Sequence, residues 1–280
     1  MTVAATASTA AALGAARARL APSDSARLDA ELLLAHVLDC PRTRLYSNPE
    51  RALDTATLAR FEALVAARAA GTPLAYLTGR AEFWSLTLSV APGVLVPRPE
   101  TELLVESALE LARADATIAD LGTGSGAIAC AVASELPRAV VVASDRDAAA
   151  LARAEANVAA LGLDTVRCLR SNWLAPFGAA TLDLILANPP YIGTSEADGL
   201  PPELTHEPPQ ALFAGADGLD DLRAIAADAP RVLRVGGAIV LEHGATQGAA
   251  VRALLGAAGF ARVVTRRDLA GHERVTLAHG

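Results

Sequence analysis

The chain is predicted to be an α/β protein: a doubly wound, mostly parallel seven-stranded sheet preceded by a small helical N-terminal domain. Three observations carry this expectation. From Ala116 onward, short apolar runs of strand length alternate with segments of helical periodicity, the pattern of βα units whose strands are buried on both faces. A glycine-rich turn joins the first of those strands to its helix. The last two strands, Ala261–Thr265 and Arg274–Leu277, are separated by a loop too short for a helical crossover, which calls for an antiparallel hairpin.

The elements follow in order. Residues 1 to about 72 read as helices. Ser23-Asp24 is placed to cap a helix carrying Leu28, Leu32, Leu33, Ala35 and Val37, and Leu58, Phe61, Leu64, Val65 and Ala69 form an apolar stripe stopped by Gly71 and Pro73. This segment, 1–72, contains no candidate chemistry and suits an interaction or substrate-recognition domain. Residues 73–99 change pattern. Phe83 to Val90, a turn at Ala91-Pro92-Gly93, then Val94-Leu95-Val96 predict a β-hairpin linking two domains. Pro97-Arg98-Pro99-Glu100-Thr101-Glu102 opens a helix to about Ala112, with acids placed favourably in its first turn. The main domain, 100–280, should then hold strands near 116–121, 139–144, 165–170, 182–187, 236–242, 261–266 and 273–278. Helices are expected near 125–136, 147–161, 218–234 and 246–258.

Composition narrows the class. The chain has 280 residues, 52% hydrophobic but only 4% aromatic, so its apolar mass is Ala, Leu and Val. That is enough for a sizeable core, and no apolar run is long enough to span a bilayer. A formal charge of −7 argues against nonspecific coating of nucleic acid. Lysine is absent and every strong base is Arg, which with so much Ala points to a GC-rich genome. Cys40, Cys130 and Cys168 are widely spaced and the five His are scattered, so neither a disulfide framework nor a metal site is expected. Residues 1–22 are Ala-rich with Arg17 and Arg19 and no acid before Asp24. A transit peptide has that composition, but a first Ala-rich helix explains it as well, and the cytoplasm is the expected compartment.

Two motifs carry chemistry. Asn188-Pro189-Pro190-Tyr191 directly follows the apolar run Leu182 to Ala187. Two prolines have nearly fixed φ and no N–H, so they end the strand and leave carbonyls unpaired. Asn188 adds an amide and Tyr191 a flat ring. Together they could clamp a planar –NH2 group, with acceptors for its hydrogens and a ring for its face. The second motif is Asp120-Leu121-Gly122-Thr123-Gly124-Ser125-Gly126 between strand and helix, with Asp145 ending the next strand 19 residues after Gly126. Glycines allow close backbone approach, the helix start offers free N–H groups, and the acid suits ribose hydroxyls. Alone, this loop also fits a dinucleotide enzyme. Its pairing with Asn-Pro-Pro-Tyr favours S-adenosylmethionine, a nucleoside cofactor without a pyrophosphate, and the antiparallel ending favours the same variant of the sheet.

At these positions the sequence closely resembles the release-factor glutamine N5-methyltransferases, the PrmC/HemK family. The resemblance rests on Asp120 to Ala129, Asp145, Ser171-Asn172-Trp173 and Asn188 to Tyr191. It extends to Pro97–Glu102, Glu207-Pro208 with Ala211–Leu219, Leu241-Glu242 with Gln247, and Asp268–Gly271, covering roughly residues 20 to 278. Asn-Pro-Pro-Tyr also occurs in adenine methyltransferases; the Pro-Arg-Pro-Glu-Thr-Glu segment and the helical N-domain are more specific. Asn172, His243 and His272-Glu273 depart from the family pattern.

The resemblance implies a class I S-adenosylmethionine-dependent, Rossmann-like methyltransferase acting as a cytoplasmic monomer, with no direct role for nucleic acid or membrane. The methyl would go to the side-chain amide of the glutamine in the Gly-Gly-Gln loop of class I peptide chain release factors, leaving S-adenosylhomocysteine. Asn188, Pro189 and Tyr191 would be catalytic, and Asn188, Pro189, Pro190 and Tyr191 would hold the substrate amide. Asp120, Gly122, Thr123, Gly124, Ser125, Gly126, Asp145, Trp173 and Asn188 would line the cofactor site. For Asp120 the alternative is that it only fixes the glycine loop through backbone N–H bonds. No metal is implied.

Overall fold

The computed structural model describes residues 7–21 and 23–280; residues 1–6 and Pro22, on which part of the targeting reading falls, lie outside the described residues. The chain forms two compact units: residues up to Gly79 together with Pro201–His206, and Arg80–Leu200 together with Glu207–Gly280.

The first unit is helical: α1 (Thr9–Arg19), α2 (Ala26–Val37), α3 (Thr43–Ser47), α4 (Thr55–Ala69) and α5 (Leu74–Thr78). Local chemistry sets two of the starts. The Ser8 side chain accepts from the Ala11 N–H, and Asp54 accepts from the backbone and hydroxyl of Thr57, both at 2.8 Å, filling donors that a helix start leaves open. The expected cap at Ser23-Asp24 does not form. The position before α2 is Ser25, which makes no side-chain cap bond, and Ser23 Oγ instead accepts from the Ser25 N–H at 3.2 Å. The predicted stripe on α4 does form a core, in which Phe61 and Val65 meet Leu13, Leu33 and Leu34. The largely buried Arg68 guanidinium reaches Asp29 at 2.7 Å and Glu203 at 2.9 Å, fastening the Pro201–His206 segment into this unit.

The second unit opens with a hairpin, β1 (Arg80–Phe83) and β2 (Leu86–Ser89), paired antiparallel. Its turn is Trp84-Ser85, not the expected Ala91-Pro92-Gly93, and Val94-Leu95-Val96 forms no strand. Both turn residues have positive φ, 52° and 59°, the geometry that matches strand twist in a two-residue hairpin loop. Glu102 stabilises this unfavourable turn by accepting the Trp84 N–H at 2.8 Å. Proline and glycine pointed to the wrong turn because a tertiary contact, not turn chemistry, set the right one.

A 3-10 turn at Pro99–Thr101 leads into α6 (Glu102–Leu111). The main body then runs β3 (Thr117–Leu121), α7 (Ala127–Glu135), β4 (Val140–Asp145), α8 (Ala148–Leu161), β5 (Val166–Arg170), β6 (Leu182–Ala187), α9 (Asp220–Val232), β7 (Leu233–Glu242), α10 (Gly248–Ala257), β8 (Ala261–Arg267) and β9 (Glu273–His279). The seven strands lie in the order β5-β4-β3-β6-β7-β9-β8. All neighbours from β5 to β7 are parallel, and β9 is antiparallel to both β7 and β8, as the short final loop required.

Alternate residues of the central strands serve opposite layers. Ile118, Leu184, Leu186 and Val240 pack beneath α6 and α7, whereas Ala119, Leu121, Ile185 and Leu241 pack with α9 and α10. His243 is tolerated in this interior because both ring nitrogens are paired. Nδ1 donates to the Gly244 carbonyl at 2.9 Å, and Nε2 accepts from the Thr276 hydroxyl at 2.8 Å. Burial lowers its pKa, so the ring stays neutral.

Gly126 starts α7 at φ 82°, and a Cβ there would stand 3.1 Å from the Ala154 Cβ of α8. Gly162 ends α8 at φ 66° with open space around it. Gly162→Ala should therefore cost only the left-handed penalty, about 1–2 kcal/mol, and Gly126→Ala that penalty plus overpacking, about 2–4 kcal/mol in all. Urea unfolding midpoints at unchanged m-value measure the gap; equal costs would mean that α7 and α8 can separate freely.

Candidate active site

In the sheet, β3 is followed by β4 and β5 on one side and paired with β6 on the other. Strand order thus reverses between β3 and β6, and a crevice opens beyond their carboxyl ends, the usual ligand position in such sheets. Leu121, the last residue of β3, pairs with Ala187, the last of β6, so the glycine loop and Asn188 leave the sheet side by side. The crevice they line is open at its mouth and, with that open space included, has an empty volume of about 680 Å³.

Of the residues singled out from the sequence, Gly122, Gly124, Asp145, Trp173, Asn188 and Pro190 line this crevice. Gly122 and Gly124 have φ of 69° and 56°, and a Cβ on Gly122 would lie 3.1 Å from the Trp173 ring. Backbone and indole therefore approach more closely than a side chain would permit. The indole is fixed in turn by its Nε1–H, which donates to Asp221 Oδ1 at 3.1 Å.

Asp145 ends β4 with both oxygens oriented by backbone. Oδ2 accepts the Gly124 N–H at 3.0 Å and Oδ1 accepts the Asp147 N–H at 2.9 Å. The cap of α8 is Asp147, whose Oδ1 accepts from Ala149 and Ala150 at 2.7 and 3.1 Å. Asp145 is thus free of capping duty. Each of its oxygens keeps a lone pair for a ligand hydroxyl. A glycine floor, an indole wall and a fixed carboxylate fit a nucleoside with a vicinal diol.

Other predicted residues sit behind the lining. Asp120 lies on the sheet face under α7 and is fully buried; its Oδ2 accepts from Thr123 Oγ1 at 2.5 Å and from the Ala129 N–H at 3.2 Å. This carboxyl pins the glycine loop to the first turn of α7. Its Oδ1 has no partner, and burial raises its pKa to about 7, against the opposing bonds from Thr123 and Ala129. Thr123 and Ser125 are buried, and Gly126 serves the α7–α8 contact.

Around the tetrapeptide, Asn188 Nδ2–H donates to Thr101 Oγ1 at 3.1 Å, leaving Oδ1 without a hydrogen bond among the described residues. Pro189 and Pro190 are buried. The Tyr191 ring packs against the α9–α10 apolar layer and is not among the residues that line the crevice. Its carbonyl accepts Gln247 Nε2–H at 2.9 Å, and burial pushes its phenol up to about 12.

The rest of the lining comes partly from segments that carry the resemblance, Ser171, Asn172, Pro208 and Ala211, and partly from residues that no motif marks, Gly93, Val94, Leu95, Arg146, Asp147, Ala150 and Gln210. Glu207, 3% exposed, holds the 93–96 and 207–211 segments together by accepting the Val96 N–H at 3.1 Å and pairing with Arg98. Arg98 and Thr101 both lie in the Pro-Arg-Pro-Glu-Thr-Glu segment, distinctive as a motif yet locally only a helix start. Among the described residues no cluster of His, Cys, Asp and Glu could hold a metal ion, and no helix is long and apolar enough to cross a membrane.

Known proteins share both the sequence and the fold. The family model for the PrmC N-terminal domain matches residues 11–79, and that for the methyltransferase small domain matches residues 99–217. A release factor glutamine methyltransferase of Pseudomonas aeruginosa is 51% identical over 260 residues, 92% of this chain and 94% of that protein. One from Xylella fastidiosa is 49% identical over 90% of this chain and 92% of its own length. The chain belongs to the release factor glutamine methyltransferase family. At the level of fold alone, a ribosomal protein L11 methylase from Lactobacillus delbrueckii superposes with TM-score 0.50 at 22% identity, over 68% of this chain and 83% of that one. A methyltransferase from Pyrococcus furiosus superposes at 0.51 and 18% identity, over 69% and 87%. The sheet that forms the crevice thus has the fold of these methyltransferases.

The buried Asp120 has a testable signature. Its pKa is raised from the ordinary 3.8 to about 7, so the native state holds a proton that the unfolded chain releases. Its contribution to stability is therefore full below about pH 4 and is lost as pH rises to about 7. Relative to wild type, Asp120→Asn should gain on the order of 2 kcal/mol between pH 5 and 7.5. Parallel urea titrations at the two pH values check this, and a constant difference between the proteins would show that Asp120 is ionised throughout.

Proposed function

We propose that the protein transfers a methyl group from S-adenosylmethionine to the side-chain amide nitrogen of the glutamine in the Gly-Gly-Gln loop of class I peptide chain release factors. The observation that carries this is the Asn188 carboxamide. It stands at the end of β6 in the crevice wall with its NH2 committed to Thr101 and its Oδ1 open, in a chain whose relatives bear the corresponding name.

When bound, S-adenosylmethionine supplies an electrophilic methyl on a sulfonium. Gly122, Gly124 and Trp173 would hold its nucleoside and amino-acid portions, and the two Asp145 oxygens would take its ribose hydroxyls. A glutamine amide nitrogen is a poor nucleophile because its lone pair is delocalised into the carbonyl. Asn188 Oδ1 and the Pro189 carbonyl would accept its two N–H bonds, turning the lone pair toward the methyl. Such orientation is worth up to ~7–11 kcal/mol in ideal cases, and the same two dipoles stabilise positive charge as it builds on nitrogen. Pro190 would wall the site and Tyr191 would support the amide plane. The methylated nitrogen is acidic enough to lose its proton to water, so no dedicated base is required. The helical unit would engage the body of the release factor, in the cytoplasm, with the enzyme acting as a monomer and nucleic acid taking no part.

Mass spectrometry of a bacterial class I release factor, after incubation with the protein and S-adenosylmethionine, should show one added methyl on the Gly-Gly-Gln glutamine. Asn188→Ala should abolish most of this while leaving S-adenosylhomocysteine affinity within a few fold. An unmodified factor in the presence of demonstrable cofactor binding would overturn the substrate assignment. A short Gly-Gly-Gln peptide should show a much higher KM than the whole factor; equal KM values would remove the helical unit from recognition.

The two neighbouring acids should separate cleanly. Asp145→Ala is expected to weaken S-adenosylhomocysteine binding by about tenfold or more through lost ribose hydrogen bonds. Asp147→Ala should cost about 1 kcal/mol of stability with little effect on binding. Calorimetry and urea unfolding of both variants check the pair, and the reverse outcome would exchange their roles.

A further inference from the structure

We propose that Glu242 is a positioning residue for the Asn188 carboxamide, acting through the hydroxyl of Thr101. This rests on the reading of Asn188 Oδ1 as an acceptor for the substrate amide.

Glu242 is the last residue of β7, the strand beside β6, and falls on the sheet face covered by α6. It is 1% exposed, and its Oε2 has no partner. Its neighbours along the strand, Val240 and Leu241, are fully buried apolar residues. An acid with an unmet oxygen at such a position opposes stability. What surrounds it is the tetrapeptide. The register that pairs Ala187 with Leu241 sets Glu242 beside Asn188; the neighbouring Thr101 and Tyr191 hydroxyls and the Arg274 charge favour its ionised form, and the Glu100 charge opposes it. Burial outweighs these and raises its pKa to about 7.

A threonine hydroxyl has one hydrogen to give and lone pairs to accept with. Thr101 Oγ1 already accepts the Asn188 Nδ2–H at 3.1 Å. Its own hydrogen goes to the strongest acceptor in reach, and a carboxylate outcompetes a neutral amide oxygen. With that hydrogen on Glu242, Thr101 can only accept from Asn188. A flipped Asn188 would then set Oδ1 against an oxygen with no hydrogen to offer. Glu242 thereby fixes which end of the Asn188 amide faces the crevice.

The test compares Glu242→Leu, Glu242→Gln, Thr101→Val and the double variant Thr101→Val/Glu242→Leu, on a bacterial class I release factor with S-adenosylmethionine. Glu242→Leu and Thr101→Val should each lower kcat by about tenfold or more, as misorientation in a positioned reaction does. S-adenosylhomocysteine affinity and KM for the factor should stay within about threefold in both. Glu242→Gln, whose Oε1 still accepts from Thr101, should recover most of the lost kcat. The double variant should be no worse than the poorer single one, as expected for groups acting in series.

Unchanged kcat in Glu242→Leu, additive losses in the double variant, or a loss shared equally by cofactor affinity would overturn the proposal. Thr101→Val removes one oxygen at nearly constant shape, so unchanged kcat in that variant overturns the proposal even if Glu242→Leu unfolds. Asn188→Ala in the same assay separates the two layers. If it retains turnover, the acceptor reading itself fails; if it loses turnover while Glu242→Leu does not, only the Glu242 proposal fails.

Discussion

The parallel pairing of β3 with β6 is the constraint on which the rest depends. These strands are not consecutive in sequence, and the chain must build β4 and β5 on one side of β3 before returning to the other. With Leu121 opposite Ala187, the glycine loop and the Asn-Pro-Pro-Tyr segment end on one level at one end of the sheet. A slip of one residue would turn every side chain of β6 to the other layer. It would exchange Leu184 and Leu186 for Ile185 and Ala187 in each core. Register at the site is therefore secured by apolar burial far below it.

Around that end the fold places acids that stability alone would not select. Asp120 and Glu242 are buried at the ends of β3 and β7, each with one oxygen unpartnered, and Glu207 is buried between two segments of the crevice lining. Each holds a loop whose backbone cannot be fixed by sheet pairing: the glycine turn, the Asn188 amide by way of Thr101, and the 207–211 segment. Hydrophobic contact is non-directional, whereas a carboxylate accepting from defined donors specifies orientation. The cost of burying these groups is offset by the two apolar layers, whose central residues are almost wholly excluded from water.

Much of this was legible in the chain. The strands near 117–121 and 182–187 appear where apolar runs predicted them, because strands buried on both faces leave an unbroken apolar record. The antiparallel ending followed from loop length alone. Gly122, Gly124, Asp145, Trp173 and Asn188 meet in one crevice, as local motifs at strand ends should. Errors fell where a distant partner overruled local chemistry. The hairpin turned at Trp84-Ser85, where Glu102 accepts the Trp84 N–H.

By itself, then, the sequence determined the sheet, its antiparallel edge and the two motifs, since periodicity and turn chemistry are properties of neighbouring residues. Only the tertiary structure decided that Thr101 holds Asn188, that Glu207 joins Val96 to the 207–211 segment, and that Glu242 stands behind the tetrapeptide. Those contacts span 87 and 111 residues for the first two. They join side chains that no spacing rule relates, and they exist only once β6 and β7 have been laid beside β3 beneath α6.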